Sequence, residues 1–251
     1  MRWLAAVGLI LALAVGAAPA PAQTPVAPAA AFQNGMTAFR GKDFATAARW
    51  FRTAADQGYA PAENNLAYLY QNALGLPQDY ALAMQWYQRA AAANFPAAQN
   101  QIGFLYQNGF GVPQDLAQAL HWYQLSAAQG NADAQNNIGY LYNHGLGVAT
   151  DYVEALRWYR LAAGQGLADA QNNIGYLYGL GEGVPQDFAE AMRWHRMAAD
   201  QGDSAAMFNI GYLYANGKGV PQDMAQARSW MTRAVGLGNA QAQQWLAEHP
   251  Q

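Results

Sequence analysis

Residues 98–130 read AQNQIGFLYQNGFGVPQDLAQALHWYQLSAAQG, and residues 134–166 read AQNNIGYLYNHGLGVATDYVEALRWYRLAAGQG. The second stretch follows the first by 36 residues, without insertion or deletion. The same frame runs along the chain: Asp43, Asp79, Asp115, Asp151, Asp187 and Asp223 stand 36 residues apart, and so do Trp50, Trp86, Trp122, Trp158, Trp194 and Trp230. Gly58, Gly130, Gly166, Gly202 and Gly238 mark a third slot, filled by Asn94 in the second unit. A fixed period of about 20–50 residues signals a stacked array in which no unit buries its apolar face alone.

One unit reads as two helices. Leu116, Ala119, Leu120, Tyr123 and Ala127 recur at the spacing of an amphipathic helix. Asp115 is placed to cap it, because a carboxylate there accepts hydrogen bonds from free backbone N–H groups and meets the positive end of the helix dipole; loss of such a cap costs about 1 kcal/mol. Gly130 closes the helix in the left-handed conformation that glycine, and less readily asparagine, adopts. Ala98, Ile102, Leu105 and Tyr106 describe the preceding helix, which ends at Asn108-Gly109 and hands over through Gly-x-Gly-Val-Pro-Gln-Asp. Small residues at Ala47, Ala55, Ala62, Gly103, Gly139, Gly175 and Gly211 predict close helix–helix approach. No segment alternates in the manner of a strand. The tryptophan stripe keeps register with Ala47, Ala83, Ala119, Ala155, Ala191 and Ala227 and reads as core.

Composition narrows the function. The 251 residues are 53% hydrophobic and carry a net charge of −3, so there is no dense positive surface to offset a phosphate backbone and nucleic acid is an unsuitable partner. Zero cysteines exclude disulfides, thiolate nucleophiles and cysteine-ligated metals. His121, His144 and His195 fall in different slots without a second ligand one turn away, so no metal site or other cofactor is expected. The serines show no Ser-x-x-Lys or Gly-x-Ser-x-Gly pattern, and the Gly-x-x-x-x-Gly runs lack the strand and lysine of a phosphate loop, the lysines being Lys42 and Lys218.

Residues 1–22 read as a secretory signal: Met1-Arg2, an apolar run from Leu4 to Val15 too short to cross a bilayer as a helix, and a cleavage pattern at Ala20-Pro21-Ala22. Residues 23–30 read as a flexible Pro/Ala-rich segment, and 31–251 as the helical array: about six helix pairs plus a C-terminal capping helix, with Ala31 to Arg40 an abbreviated first helix. The expected protein is secreted, in the periplasm, with no transmembrane segment after processing.

The recurring pattern, given in residues 98–130 by Ala98, Ile102-Gly103, Leu105-Tyr106, Gly109, Gly111-Val112, Asp115, Ala119, Trp122-Tyr123, Ala127-Ala128 and Gly130, resembles the Sel1-like repeat, a relative of the tetratricopeptide repeat. The likeness extends from about Phe32 to Leu246; His195 and Met231 depart from it in the second aromatic slot. The resemblance implies an all-α, right-handed superhelical solenoid of antiparallel helix pairs that acts as an adaptor for other proteins rather than as an enzyme.

It also implies that one face of the first helices lines a concave groove. With Ala98 at 0°, the core stripe covers about 340° to 80°, whereas Asn100 falls near about 200° and Phe104 near about 240°. The pair recurs as Asn64/Tyr68, Asn136/Tyr140 and Asn172/Tyr176, changes to Phe208/Tyr212, and is extended by His144. Carboxamides both donate and accept, so such a row can bond an extended peptide backbone without reading its sequence, and tyrosines add apolar area with a hydroxyl. The same residues also suit packing between repeats, in which the asparagines satisfy one another. The adjacent amides Asn65, Gln101, Asn137, Asn173 and Asn209 read as structural. Arg157, Arg160, Arg193 and Arg196, balanced by Glu154, Glu190 and Asp187, read as a solvated convex face. The functional expectation is a non-catalytic protein–protein interaction scaffold of the cell envelope that binds a protein or extended peptide on its concave face. A cell-wall glycan or muropeptide binder is the alternative, and a hydrolase the least supported class.

Overall fold

The computed structural model describes residues 26–250, so the secretory signal expected over residues 1–22 lies outside the described residues. Thirteen α-helices account for most of them, and among the described residues there is no strand. Six hairpins follow one another: α1 (Pro28–Arg40) with α2 (Phe44–Ala55), α3 (Ala60–Gln71) with α4 (Tyr80–Ala92), α5 (Pro96–Asn108) with α6 (Leu116–Ala127), α7 (Ala132–His144) with α8 (Tyr152–Gly164), α9 (Ala168–Leu180) with α10 (Phe188–Ala199), and α11 (Ser204–Asn216) with α12 (Met224–Gly236). The last helix, α13 (Ala240–Glu248), packs on α12. Each helix packs on its neighbours in chain order, which makes the array a solenoid.

The caps form as the aspartate spacing predicts. Asp115 sits in extended backbone and accepts a hydrogen bond from the Gln118 amide at 2.9 Å; Asp43, Asp79, Asp151, Asp187 and Asp223 cap their helices in the same way. Inside a hairpin the helices approach through glycine. A Cβ on Gly103 would lie 2.7 Å from the Tyr123 ring, so only glycine lets that ring lie flat on α5. The Tyr123 hydroxyl donates to Gln107 Oε1 at 2.7 Å, and Tyr87 donates to Gln71 Oε1 at 2.9 Å. Burial pushes the Tyr87, Tyr123 and Tyr159 phenols well above their ordinary pKa.

Further polar contacts tie the helices together, both within a hairpin and from one hairpin to the next. Gln129, Gln165 and Gln201 donate to the buried Gln99, Gln135 and Gln171 at 2.8 to 2.9 Å. Arg52, Arg160 and Arg196 donate to the hydroxyls of Tyr70, Tyr178 and Tyr214 on the next hairpin. Ser126, in an alanine packing slot, donates to the Pro96 carbonyl at 2.7 Å.

Two sequence expectations change. The first helix is not abbreviated: α1 has 13 residues, and residues 28–30, expected as flexible tether, form its first turn. Pro28 opens the helix, where its fixed φ is favourable and its missing N–H leaves nothing unpaired. The tryptophans pack in or against the core, as expected, without being its innermost residues. Trp86 is 7% exposed and the other five repeat tryptophans are half-buried, whereas the residue after each one, Phe51, Tyr87, Tyr123, Tyr159, His195 or Met231, is buried. Arg52 and Arg89 flank the Trp86 ring at 4.9 and 4.3 Å, and Arg157 and Arg233 cover Trp158 and Trp230 at 4.7 and 4.0 Å.

Ala73 takes the slot of Gly109, Gly145, Gly181 and Gly217 and, like them, has positive φ (55°). A Cβ is strained there by roughly 1–2 kcal/mol. Ala73→Gly is therefore expected to raise stability by about 1 kcal/mol, after the added freedom of the unfolded chain is offset. Urea denaturation checks this: the midpoint should rise with an unchanged slope.

Candidate functional site

The first helices place the asparagines on one face, and the structure links them across hairpins. Asn137 Nδ2 donates to Asn100 Oδ1, Asn173 Nδ2 to Asn136 Oδ1, and Asn209 Nδ2 to Asn172 Oδ1, each at 3.0 Å. Packing and groove lining thus coexist in one residue: the oxygen joins the ladder, while Nδ2 of Asn136 and of Asn172 has no hydrogen-bond partner among the described residues. Both asparagines line a cleft of about 560 Å³ together with Asp169, Asn173, Gln201 and Asp203.

The ladder has ends. Gln101 stands where Asn137, Asn173 and Asn209 stand later, and Asn64 Oδ1 is left buried without a partner. At the other end Phe208 takes the asparagine slot. Asn100 itself is 8% exposed, so it is chiefly a packing residue.

The tyrosine row lies open. Tyr68, Tyr140, Tyr176 and Tyr212 are 39 to 50% exposed. Phe104 is half-buried against Phe110, with ring centroids 5.9 Å apart. His144 is exposed and tilted onto Tyr140 at 4.2 Å, with Nε2 3.3 Å from Asn143 Nδ2. Tyr176 and Tyr212 border a second cavity, of about 300 Å³, with Gly179, His195, Phe188 and Lys218. The structure therefore distributes Asn136, Asn172, Tyr176 and Tyr212 over two cavities, and Asn64, Tyr68, Asn100, Phe104, Tyr140 and His144 line neither.

Sequence reasoning missed the carboxylates here. Burial raises the Asp169 pKa, and the nearby Asp203 and Asp133 raise it further. None of the three ion pairs among the described residues, Arg89–Glu63, Arg157–Glu154 and Arg193–Glu190, involves these aspartates. The signal for part of the group was present, since Asp133 and Asp169 are 36 residues apart; Asp203 comes from a different slot, the cap of α11. Among the described residues no cluster of three His, Asp or Glu side chains could hold a metal ion, and no helix is long and apolar enough to cross a membrane.

His195 is 4% exposed, and its Nδ1 lies 2.8 Å from Asn172 Oδ1. Burial depresses its pKa from 6.5 to about 4. In the unfolded chain the imidazole takes up its proton near pH 6.5, so between these values the unfolded state binds more protons and stability falls as pH falls. Between pH 7 and pH 4 the protein should lose about 3 kcal/mol more than a His195→Tyr variant, as read by denaturant titration at each pH.

Comparison with known proteins agrees with this geometry. The Sel1 repeat family model matches residues 26–59, 60–95, 96–131, 132–167, 168–203 and 204–239. No curated protein sequence matches significantly. The crystal structure of a Sel1 repeat protein from Oxalobacter formigenes is similar, with 34% identity, a TM-score of 0.79 and coverage of 86% of this chain and 89% of that one. So is c5321, described as a protective antigen of uropathogenic Escherichia coli strains displaying an SLR fold: 40% identity, a TM-score of 0.73 and 86% of this chain, which spans about half (47%) of that one. The immunity protein PA5088 from Pseudomonas aeruginosa shares the fold at 20% identity and a TM-score of 0.62, over 91% of this chain and 93% of that one. With six consecutive repeats matched across nearly all the described residues, the chain belongs to the Sel1 repeat family.

Proposed function

We propose that the protein is a non-catalytic interaction scaffold of the cell envelope that holds an extended segment of a partner protein on the concave face built by the first helices. Sel1 repeats in general mediate protein–protein interaction, and the family is typically a non-catalytic scaffold. The observation that carries the reading is the ladder with its unspent donors: Asn136 and Asn172 commit Oδ1 to the neighbouring repeat and keep Nδ2 available beside a cleft. Backbone carbonyls of an extended segment are natural acceptors for such donors. The exposed tyrosines beside them supply apolar contact area at little entropic cost. Asp169 and Asp203 at the cleft favour a donor-rich or basic residue at that point of the partner.

The test is affinity capture from periplasmic extract with residues 23–251 immobilised, beside a Tyr140→Ala/Tyr176→Ala variant. Both tyrosines are exposed, so circular dichroism should find the variant equally helical. A protein retained by the parent chain and lost by the variant is the expected outcome. Equal retention by both would contradict the assignment of the face, and retention of muropeptides alone would replace the protein scaffold with a cell-wall binder.

A further inference from the structure

The fifth hairpin departs from the others in two residues that face each other. In the second and third hairpins a glutamine pairs with a buried tyrosine across the two helices, Gln71 with Tyr87 and Gln107 with Tyr123. The fifth hairpin has Gly179 and His195 in those slots. The imidazole keeps the tyrosine's seat: a Cβ on Gly175 would lie 2.7 Å from its Cε1 and 2.8 Å from its Nδ1, just as one on Gly103 would meet the Tyr123 ring at 2.7 Å. The ring edge opposite Cγ, which carries Cε1 and Nε2, therefore points where a tyrosine would carry its hydroxyl.

That edge ends in an acceptor. Asn172 Oδ1 receives Asn209 Nδ2 at 3.0 Å and meets His195 Nδ1 at 2.8 Å. An oxygen can only accept from the ring, so Nδ1 carries the proton and Nε2 presents a lone pair, with no hydrogen-bond partner among the described residues. Gly179 has no packing reason to be glycine, because a Cβ there would touch only the Ala191 methyl, at 3.8 Å. Glycine weakens a helix, and here nothing in the hairpin offsets the loss.

Both truncations open into the cavity of about 300 Å³ walled by Tyr176, Leu180, Phe188, Phe208 and Tyr212. The volume is at the small end of ligand sites, enough for one large side chain. At its border Lys218 Nζ lies 5.3 Å from the Phe188 ring and 5.0 Å from the Tyr212 ring, and no carboxylate pairs with it among the described residues. Lys218 also donates to the Tyr212 hydroxyl at 3.4 Å, so apolar walls, one unpartnered acceptor and one cation without a carboxylate define the complement: a flat ring with a hydrogen-bond donor at its end, next to a negative charge.

We propose that this cavity binds a tyrosine side chain of the partner protein, its hydroxyl donating to His195 Nε2 and an adjacent acidic residue pairing with Lys218. This assignment deepens the scaffold reading and rests on it. Residues 1–25 and 251 contain no tyrosine, so they cannot supply the side chain. Phenylalanine would fill the volume but cover the His195 nitrogen without giving it a donor, and a neighbouring lysine would meet Lys218 with like charge.

The probe is the capped peptide acetyl-Gly-Tyr-Glu-Gly-amide, titrated into the protein by calorimetry and followed at the His195 Nε2 resonance after histidine 15N labelling. Binding with a shift of that resonance is expected, at least tenfold weaker when Tyr is replaced by Phe, and several-fold weaker when Glu is replaced by Lys. Lys218→Ala should erase the second difference. Gly179→Gln/His195→Tyr rebuilds the pair of the second and third hairpins and should abolish binding, as should Gly179→Leu, which fills the cavity and keeps the histidine. No binding at millimolar peptide, equal binding of the Phe peptide, or undiminished binding by either filled variant would overturn the proposal. If captured protein is retained equally by the parent chain and the filled variants, the pocket assignment fails while the scaffold stands; if the peptide binds and no protein is captured, the scaffold fails while the pocket stands.

Discussion

The contact between a helical glycine and the ring lying on it governs how the central hairpins close. At Gly103 and Gly139 a side chain would collide with Tyr123 and Tyr159 at 2.7 Å, so the first helix can approach the second only through bare backbone. Glycine lowers helix propensity by about 1 kcal/mol against alanine, and burial of an aromatic ring returns more than that. The contact also sets the rotation of each first helix about its axis. Once that rotation is fixed, the opposite side of the helix is fixed too, and asparagines repeated every 36 residues come into bonding register with the next hairpin.

This geometry explains why one face can be both structural and available. A carboxamide has two functions, and the ladder uses the oxygen of one asparagine with the nitrogen of its neighbour in the next repeat. What is left over is the Nδ2 of Asn136 and Asn172, two residues that line the cleft, and its use by a ligand leaves the ladder bonds intact. Where the register breaks, the consequences are local. Gln101 leaves Asn64 Oδ1 unpaired, Phe208 ends the row, and the missing side chain at Gly179 with the shorter ring of His195 converts a filled position into a cavity.

Much of the fold was legible because its signals are short-range. Asp115, Gly130 and the stripe from Leu116 to Ala127 each act within one helix, and the helices form where those residues place them. Tertiary signals were less accessible. Trp122 and Tyr123 are neighbours about 100° apart on the same helix, and which one goes deepest depends on Gly103 of the facing helix. Pro28 reads equally as tether or as the first residue of a helix until the Ala29–Arg40 segment is seen to pack on α2. Of the candidate site, the Asn and Tyr rows were visible as repeats. The Asp133, Asp169 and Asp203 group was not, because it joins two different slots, and the Gly179 gap was not, because a missing side chain carries no pattern of its own.

The central claim is that a partner lies along the first helices and not across the second helices. Site-specific photocrosslinking in cells tests it most directly, with a benzophenone amino acid at Tyr176 of α9 and, as a comparison, at Leu161 of α8, both well exposed. A discrete crosslinked protein from position 176 and none from position 161 is the predicted result. The same protein captured from position 161 alone would contradict the account and move the binding surface to the opposite side of the solenoid.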